Sequence, residues 1–199
     1  MTVAGKPNSF FSSLGPGNEL NYATKAMLND YQQLNLKSDD ELRNLTEGFQ
    51  FANEHLEKKR IQLYYFQCRD KHSIYPEQFP DTVIQHGNES KTDQIVKTLT
   101  ARTNVPVISP KEKLIELKKG IRYLQCVGDS THWTQRGAYI GYRMLMKKIN
   151  ENNYDKYPVL QETDYDITVN DMGGLHRRGL ANPGSLCAGY YDCGKCGTL

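Results

Sequence analysis

The chain has 199 residues and a nearly balanced charge, with 25 Lys and Arg against 23 Asp and Glu and a net charge of +2. This balance excludes a strongly charged partner, nucleic acid included, as the main determinant of function. Hydrophobic residues make up 38% and charged residues 24%, a mixture typical of one globular domain that excludes a collagen-like or disordered chain.

Two features are predicted to be absent. No stretch approaches the roughly 20 apolar residues that a membrane span requires. Residues 1–8 lack the basic and apolar regions of an export signal, so we expect no signal peptide in this chain.

The first regular element is predicted near residue 38. Residues 1–27 are expected to be an irregular lead-in, because residues 1–20 contain Pro7, Gly15, Pro16 and Gly17 among Ser and Asn. Ser38 and Glu41 have the spacing of a capping box, which predicts the start of a helix. Apolar residues at alternating steps of three and four then predict a helix to about residue 59. This stripe consists of Leu42, Leu45, Phe49, Ala52 and Leu56.

Short apolar runs alternate with helical patterns along the rest of the domain. The predicted strands are residues 61–68, 105–108 and 121–127, the first of them buried on both faces. The predicted helices are residues 92–102, 111–119 and 135–150, the last capped by Thr134. Because parallel strands need helical crossovers, this order predicts an α/β fold with a mostly parallel sheet.

The loops after Cys68 and Val127 are the candidate site loops, because ligands of parallel sheets bind beyond the carboxyl ends of the strands. The loop at 128–134 reads Gly-Asp-Ser-Thr-His-Trp-Thr. A histidine at a helix N-terminus is held neutral by the helix dipole, and a nearby carboxylate would orient it as a base that activates a serine. The alternative is that Asp129 and Ser130 satisfy turn amides while His132 and Trp133 lie half-buried beside the cap.

The loop at 69–77 reads Arg-Asp-Lys-His-Ser-Ile-Tyr-Pro-Glu and follows the first predicted strand. A dense set of polar residues at this position would face a ligand. The alternative is a solvated loop in which Ile74 and Tyr75 pack against the core.

Two blocks of sequence resemble a known family. The lysine block (71–77, Lys-His-Ser-Ile-Tyr-Pro-Glu) is followed by Phe-Pro-Asp at 79–81, and the histidine block (130–134, Ser-Thr-His-Trp-Thr) by Gly-Ala-Tyr-Ile-Gly-Tyr at 137–142. Together they resemble the SGNH-hydrolase-like domain of the AlgX/AlgJ alginate and exopolysaccharide O-acetylation proteins. A weaker match at 30–36 extends the resemblance to roughly residues 28–180, followed by a Cys- and Gly-rich tail at 181–199 that we expect to be unstructured.

The resemblance implies a three-layer α/β/α sandwich and a reaction that moves acetyl groups on a carbohydrate ester through a serine nucleophile, a histidine base and an aspartate. The implied catalytic residues are His132, Asp129 and Ser130. The implied substrate-binding residues are Lys71, His72, Tyr75 and Trp133. It also implies action in the periplasm or cell envelope, with envelope polysaccharide-modification machinery as a further partner; no cofactor is expected.

This sequence departs from the family pattern in two places. The family's block reads Asp-Thr-His-Trp, so Ser130 occupies the position of its aspartate and Asp129 stands one residue earlier. Asp129 and His132 do match the Asp-x-x-His spacing of the broader SGNH hydrolases. The family's nucleophilic serine lies on a later strand-to-helix turn, and we expect this chain to end before it. Ser130 is two residues from His132 and Ser185 follows no predicted strand, so neither is assigned as the nucleophile.

The tail carries a Cys-x-x-Cys pair, Cys193 and Cys196, which is half of a zinc site. Cys187 or His176 would have to complete it, and a disulfide or redox pair is the alternative.

Two functions are therefore left open. One is a polysaccharide O-acetyltransferase or acetylesterase-like enzyme, its activity impaired in this chain. The other is a non-catalytic carbohydrate-binding module, consistent with 13 Tyr against 6 Phe, because tyrosine suits wet ligand surfaces.

Overall fold

The computed structural model describes residues 12–14, 20–22, 24–118, 133–151, 153, 157–164, 166–168 and 190–192. The chain divides into two compact units. Unit 1 comprises Met1–Tyr22, Asp70–Pro80 and Pro110–Leu199, and unit 2 comprises Ala23–Arg69 and Asp81–Ser109.

Unit 2 begins with two capped helices. Helix α1 (Lys25–Tyr31) is capped by Thr24 and was not predicted. Helix α2 (Asp39–Glu57) starts with the predicted capping box: the Ser38 hydroxyl accepts from the backbone N–H of Glu41 at 3.3 Å, and the Glu41 carboxylate accepts from the backbone N–H of Ser38 at 2.9 Å. The predicted stripe faces inward, with Leu42 buried and its other four members half-buried. The predicted helix start and stripe are confirmed.

The strands of unit 2 are short and parallel. Strand β3 (Tyr65–Phe66) pairs in parallel with β4 (Val107–Ile108). The parallel pairing is confirmed. The prediction that residues 61–68 are buried on both faces is wrong, since Ile61 is 49% exposed and both β3 residues, Tyr65 and Phe66, are half-buried. The amphipathic character of tyrosine explains the partial burial of Tyr65. Its ring packs edge-on against Phe49, while its hydroxyl donates a hydrogen bond to the Gln67 side chain.

Helix α4 (Lys91–Arg102) completes the helices of unit 2. Ser90 caps it by accepting from the backbone N–H of Asp93 at 3.1 Å, and Leu99 is fully buried on its inner face. This confirms the predicted helix at 92–102.

Unit 1 contains two antiparallel strand pairs that were not predicted. Strand β1 (Ser12–Leu14) pairs with β2 (Leu20–Tyr22), and β5 (Asp166–Thr168) with β6 (Tyr190–Asp192). The first pair lies in the segment predicted to be irregular, and β6 lies in the tail predicted to be unstructured. The bounds of these two segments stay predictions. Backbone pairing across the chain overrides the weak strand preference of Ser, Asn and Asp.

The helices of unit 1 are α3 (Lys71–Ile74), α5 (Lys111–Leu117) and α6 (Gln135–Glu151), with 3₁₀ turns at Pro76–Gln78 and Glu162–Asp164. Helix α6 begins as predicted, since the Thr134 hydroxyl accepts from the backbone N–H of Gly137 at 3.2 Å. The third predicted strand, residues 121–127, lies outside the described residues. Among the described residues, no helix is long and apolar enough to cross a membrane.

The core of unit 1 is built from three of these elements. Ile74 and Leu114 are fully buried and Tyr75 is 4% exposed, and they form one cluster. Leu117, Trp133 and Ile140 are partly buried and pack against this cluster. Burying each large apolar side chain contributes about 1.5–3 kcal/mol, so this cluster fixes α3 against α5.

Candidate active site

The lysine block forms one helical turn followed by a 3₁₀ turn. The backbone N–H of Tyr75 donates to the carbonyl of Lys71 at 2.8 Å, which closes α3. Pro76 opens the 3₁₀ turn, because its fixed φ suits the first position of a helix. The sequence Ile-Tyr-Pro thus turns the chain sharply and points Ile74 and Tyr75 into the core.

Three of the four predicted substrate-binding residues are almost fully buried. Lys71 is 3%, His72 4% and Tyr75 4% exposed, and the His72 ring meets the Phe79 ring edge-on with centroids 6.0 Å apart. Ile74 and Tyr75 pack into the core cluster, as the alternative interpretation of this loop predicts. The polar loop is not solvated as a whole, however, because Lys71 and His72 are also buried.

Lys118 is a further residue of this region, and the sequence analysis missed it. Its ammonium donates to the Ile74 carbonyl at 2.9 Å and to both Glu77 carboxylate oxygens at 3.0 and 2.9 Å. The same ammonium lies 5.6 Å from the centroid of the Tyr75 ring. The end of α5 is thereby tied to the lysine block. No sequence signal marks this contact, since Lys118 lies 41 residues beyond Glu77.

The histidine block meets the lysine block through its tryptophan. Trp133 is half-buried and packs against the Ile74, Tyr75 and Leu114 cluster, immediately before the Thr134 cap of α6. The structure therefore brings one residue of the histidine block to the core that the lysine block builds. The three predicted catalytic residues, Asp129, Ser130 and His132, lie outside the described residues, and their roles stay predictions.

The serines of the described helices and loops have structural roles. Ser38 and Ser90 cap helices, and the Ser73 hydroxyl donates to the Asp70 carbonyl at 2.8 Å. Ser109 accepts two hydrogen bonds from the Arg69 guanidinium, at 3.0 and 2.9 Å. Among the described residues, none of these four hydroxyls is hydrogen-bonded to a histidine, as an activated nucleophile would be.

Metal binding has no support from the residues that the structure describes, because no group of three or more His, Cys, Asp or Glu side chains among them could hold an ion. The tail cysteines Cys187, Cys193 and Cys196 and the imidazole of His176 lie outside those residues.

The sequence of the chain also matches a known protein family. The model of the SGNH hydrolase-like domain of the acetyltransferase AlgX matches residues 27–183, which include both blocks. The chain belongs to this family. The matched range ends before Cys187, so the Cys-x-x-Cys pair is not part of the AlgX-type domain.

Two solved structures of PatB1 support the fold of this AlgX-type domain. Bacillus cereus PatB1 with a sulfonyl adduct is similar with a TM-score of 0.64 and 16% identity, over 94% of this chain and 58% of that one. A second structure of Bacillus cereus PatB1 is similar with a TM-score of 0.57 and 14% identity, over 80% of this chain and 49% of that one. The O-acetyltransferase domain of Pseudomonas putida AlgJ has a TM-score of 0.47 and 15% identity, over 79% of this chain and 51% of that one. No curated protein sequence matches the chain.

The predicted fold class is confirmed. The chain has an SGNH-hydrolase-like fold with helices and a small parallel sheet, as the family match and the likeness to PatB1 show. It spans about half to three fifths of the length of the solved structures that it resembles.

Proposed function

We propose that this protein takes part in the O-acetylation of a polysaccharide, with His132 as the general base of the acetyl transfer. The observation that carries the proposal is the meeting of the two family blocks, since Trp133 packs against the cluster that Ile74 and Tyr75 build. His132 directly precedes Trp133 in the sequence. The family match over residues 27–183 supports the reaction class.

The chemistry proceeds in two steps in this proposal. A serine oxygen attacks the carbonyl carbon of an acetyl ester while the base takes the serine proton, and the donor's alkoxide leaves with that proton. A sugar hydroxyl then attacks the carbonyl carbon of the acetyl–serine ester and transfers its proton to the base. The base passes this proton to the departing serine oxygen, which restores the free serine and leaves the sugar acetylated. Asp129 orients His132 through the second ring nitrogen, at the Asp-x-x-His spacing.

We propose further that acetyl–serine formation is impaired in this chain by itself. The hydroxyls of Ser38, Ser73, Ser90 and Ser109 are all engaged in caps, turns or the contact with Arg69. The same observation favours the second candidate, a carbohydrate-binding module without turnover. In both cases the ligand is an acetylated polysaccharide, and the site of action is the periplasm or cell envelope with its polysaccharide-modification machinery.

The test combines turnover with labelling. The protein is incubated with an activated acetyl ester, and in parallel with a serine-directed fluorophosphonate, and its intact mass is measured. Because acetyl–serine formation is impaired, we expect only slow ester hydrolysis in which the base activates a water molecule. His132→Ala should abolish this hydrolysis, and no stoichiometric fluorophosphonate adduct should form. His55→Ala is the matched control, because His55 lies on the exposed face of α2 and stacks only on Phe51.

Two results would contradict parts of the proposal. Equal turnover in His132→Ala and His55→Ala would exclude His132 as the base. Stoichiometric labelling of Ser130 or Ser185 would exclude impairment and identify that serine as the nucleophile. Binding of an acetylated oligosaccharide without any turnover in the unmodified chain would favour the carbohydrate-binding module.

A further inference from the structure

Helix α2 carries an aromatic ring on its solvent side. Phe51 is 72% exposed, although the opposite face of the same helix is buried through Leu42, Thr46 and Asn53. The His55 ring lies one turn further along and stacks on Phe51, with centroids 6.4 Å apart and ring planes inclined by 21°. Because Phe51 is so exposed while His55 lies on one side of it, the other face of the Phe51 ring is open to solvent.

A glycine lies one turn before this ring. Gly48 is an interior residue of α2, where glycine lowers helix stability relative to alanine. A β-carbon at this position would meet no atom within 4 Å, so no neighbouring element requires a glycine here. Residues 44, 48, 51 and 55 are spaced by four, three and four, which places them in one strip along the helix. All four are exposed. The α2 strip (Asn44, Gly48, Phe51 and His55) therefore combines an open ring with an adjoining area free of side chains.

Polar groups border the α2 strip. The side chains of Asn44, Glu47, Glu54, Lys58 and Lys59 are all exposed within a turn or two of Phe51. They supply an amide, two carboxylates and two ammonium groups, which can exchange hydrogen bonds with hydroxyl groups of a ligand. The two negative and two positive charges balance, so an anionic ligand gains no net attraction from them.

The size of the exposed ring favours a small cyclic ligand over a protein. Within α2, all of which the structure describes, Phe51 is the one exposed large hydrophobic side chain. An aromatic side chain buries about 150–250 Å², whereas each partner in a stable protein interface contributes about 800 Å². A pyranose ring has about the size of one aromatic ring. Its axial C–H groups are slightly positive and suit the negative face of the aromatic ring.

We propose that the α2 strip binds one neutral pyranose unit of a polysaccharide, stacked on the open face of Phe51 with its edge over Gly48. His55 supports the Phe51 ring from the other side and is not a ligand contact. The inference goes beyond the proposed function, because this second ligand site lies wholly within unit 2 and needs no acetyl transfer.

The test measures the binding of defined oligosaccharides to the full chain by isothermal titration calorimetry. Cellohexaose is the neutral probe, and hexagalacturonate is its acidic counterpart. Phe51→Ala removes the ring, whereas Phe51→Tyr keeps it. Ile84→Ala is the matched control, because it removes another exposed apolar side chain of unit 2, which is 63% exposed. Urea unfolding confirms that each variant is folded.

We expect the Kd for cellohexaose to rise about tenfold in Phe51→Ala, since the stacking contact is lost. The Kd should stay at the wild-type value in Phe51→Tyr and Ile84→Ala, and hexagalacturonate should bind the wild type more weakly than cellohexaose. Equal Kd values for cellohexaose in the wild type and Phe51→Ala would overturn the inference, as would a wild type that binds no cellohexaose. Tighter binding of hexagalacturonate would overturn the assignment to a neutral sugar.

Gly48→Gln separates binding from folding. Glutamine is a better helix former than glycine, so the midpoint of urea unfolding should rise. Its side chain covers the area beside Phe51, so the Kd for cellohexaose should nevertheless rise as it does in Phe51→Ala. A wild-type Kd in Gly48→Gln would exclude Gly48 from the site.

Sedimentation equilibrium tests the remaining occupant, a second copy of the chain. A dimeric wild type that becomes monomeric in Phe51→Ala would identify the α2 strip as a contact between copies and would overturn the inference.

Ester turnover separates this inference from the proposed function. If the wild type hydrolyses no activated acetyl ester but binds cellohexaose through Phe51, the proposed acetyl transfer fails and the second site stands. If it hydrolyses the ester while Phe51→Ala binds cellohexaose as the wild type does, the second site fails and the proposed acetyl transfer stands.

Discussion

The ammonium of Lys118 lies 5.6 Å from the centroid of the Tyr75 ring and donates a hydrogen bond to the carbonyl of Ile74, the preceding residue. Both contacts hold the turn that follows α3, where the chain changes direction before Pro76. One cation at the end of α5 therefore stabilises both the backbone and the aromatic face of the lysine block.

Replacing Lys118 by Met is expected to lower the free energy of unfolding by about 1–3 kcal/mol, because a charge-assisted hydrogen bond and a cation–π contact are lost together. Urea unfolding measures the change. The control is Lys113→Met on the same helix, whose ion pair with Glu116 is exposed on both sides and should contribute less than about 1 kcal/mol. Equal losses in the two variants would show that the Tyr75 contact contributes nothing.

Leu114 is the fully buried residue of α5 in the cluster against which Trp133 packs. Leu114→Ala should lower the free energy of unfolding by about 2–5 kcal/mol, because it removes apolar contacts and leaves a cavity. Its neighbour Ile115 is 37% exposed, so Ile115→Ala should cost clearly less. The emission of Trp133 should shift to longer wavelength in the folded Leu114→Ala protein only. An unshifted emission would mean that Trp133 does not depend on this cluster.

Much of the helical structure could be predicted because its determinants are local. Ser38 and Glu41 are three residues apart, and Thr134 caps the helix that begins at the next residue. The parallel pairing of β3 and β4 followed from the order of elements alone. Short strands of Ser, Asn and Asp could not be predicted in this way, because their partners along the chain decide whether they pair.

The sequence indicates which two blocks form the candidate site, but it does not indicate that polar side chains of the lysine block are buried. The polar composition of the lysine block suggests a solvated loop, whereas Lys71 and His72 are buried. The contacts of Arg69 with Ser109 span 40 residues, and no local pattern indicates them. Long-range pairs of this kind require knowledge of the fold before they can be located.

The capping box of α2 predicts a pH effect. The hydrogen bond from Lys37, and then that from the backbone of Ser38, lower the pKa of Glu41 from 4.5 to about 2. A carboxyl whose pKa is depressed by folding adds stability above its unfolded pKa and loses it as the pH falls through the folded pKa. The contribution of Glu41 should therefore be complete above about pH 4.5 and disappear as the pH falls towards about 2.

The measurement is a pH titration of the Glu41 side-chain carboxyl by NMR, with urea unfolding of Glu41→Gln over the same range. The difference in stability between this variant and the wild type should shrink as the pH falls. Glu47→Gln on the same helix is the control, because it removes an exposed carboxylate that takes no part in the capping box. A titration midpoint for Glu41 at the ordinary value would contradict the strength of the capping interaction.

The side chain of Asn150 hydrogen-bonds the backbone of the segment that follows α6. Its side-chain amide donates to the Tyr157 carbonyl at 2.7 Å and accepts from the Tyr157 backbone N–H at 3.1 Å, and the residue is 6% exposed. Asn150→Ala leaves two backbone groups without these partners and should cost about 1–3 kcal/mol. Lys147→Ala, an exposed change on the same helix, should leave the unfolding curve nearly unchanged. Equal curves for the two variants would contradict a structural role for Asn150.

Tyr75 is predicted to bind substrate and is also part of the core, so its two roles need different substitutions. Tyr75→Ala should lower the free energy of unfolding by about 3–5 kcal/mol, as large aromatic truncations in cores do. A loss of carbohydrate binding in Tyr75→Ala would therefore not show that Tyr75 contacts the carbohydrate, because the damaged core would also explain it. Tyr75→Phe keeps the packed ring and removes only the hydroxyl.

If the Tyr75 hydroxyl contacts the carbohydrate, Tyr75→Phe should weaken the binding of an acetylated oligosaccharide by about 0.5–1.5 kcal/mol in a variant that urea unfolding shows to be folded. Isothermal titration calorimetry gives the affinity. Tyr157→Phe is the matched control, since Tyr157 is 42% exposed and is not a predicted ligand residue. Affinity equal to that of the wild type in a folded Tyr75→Phe protein would restrict Tyr75 to the core and leave recognition to other residues of the two blocks.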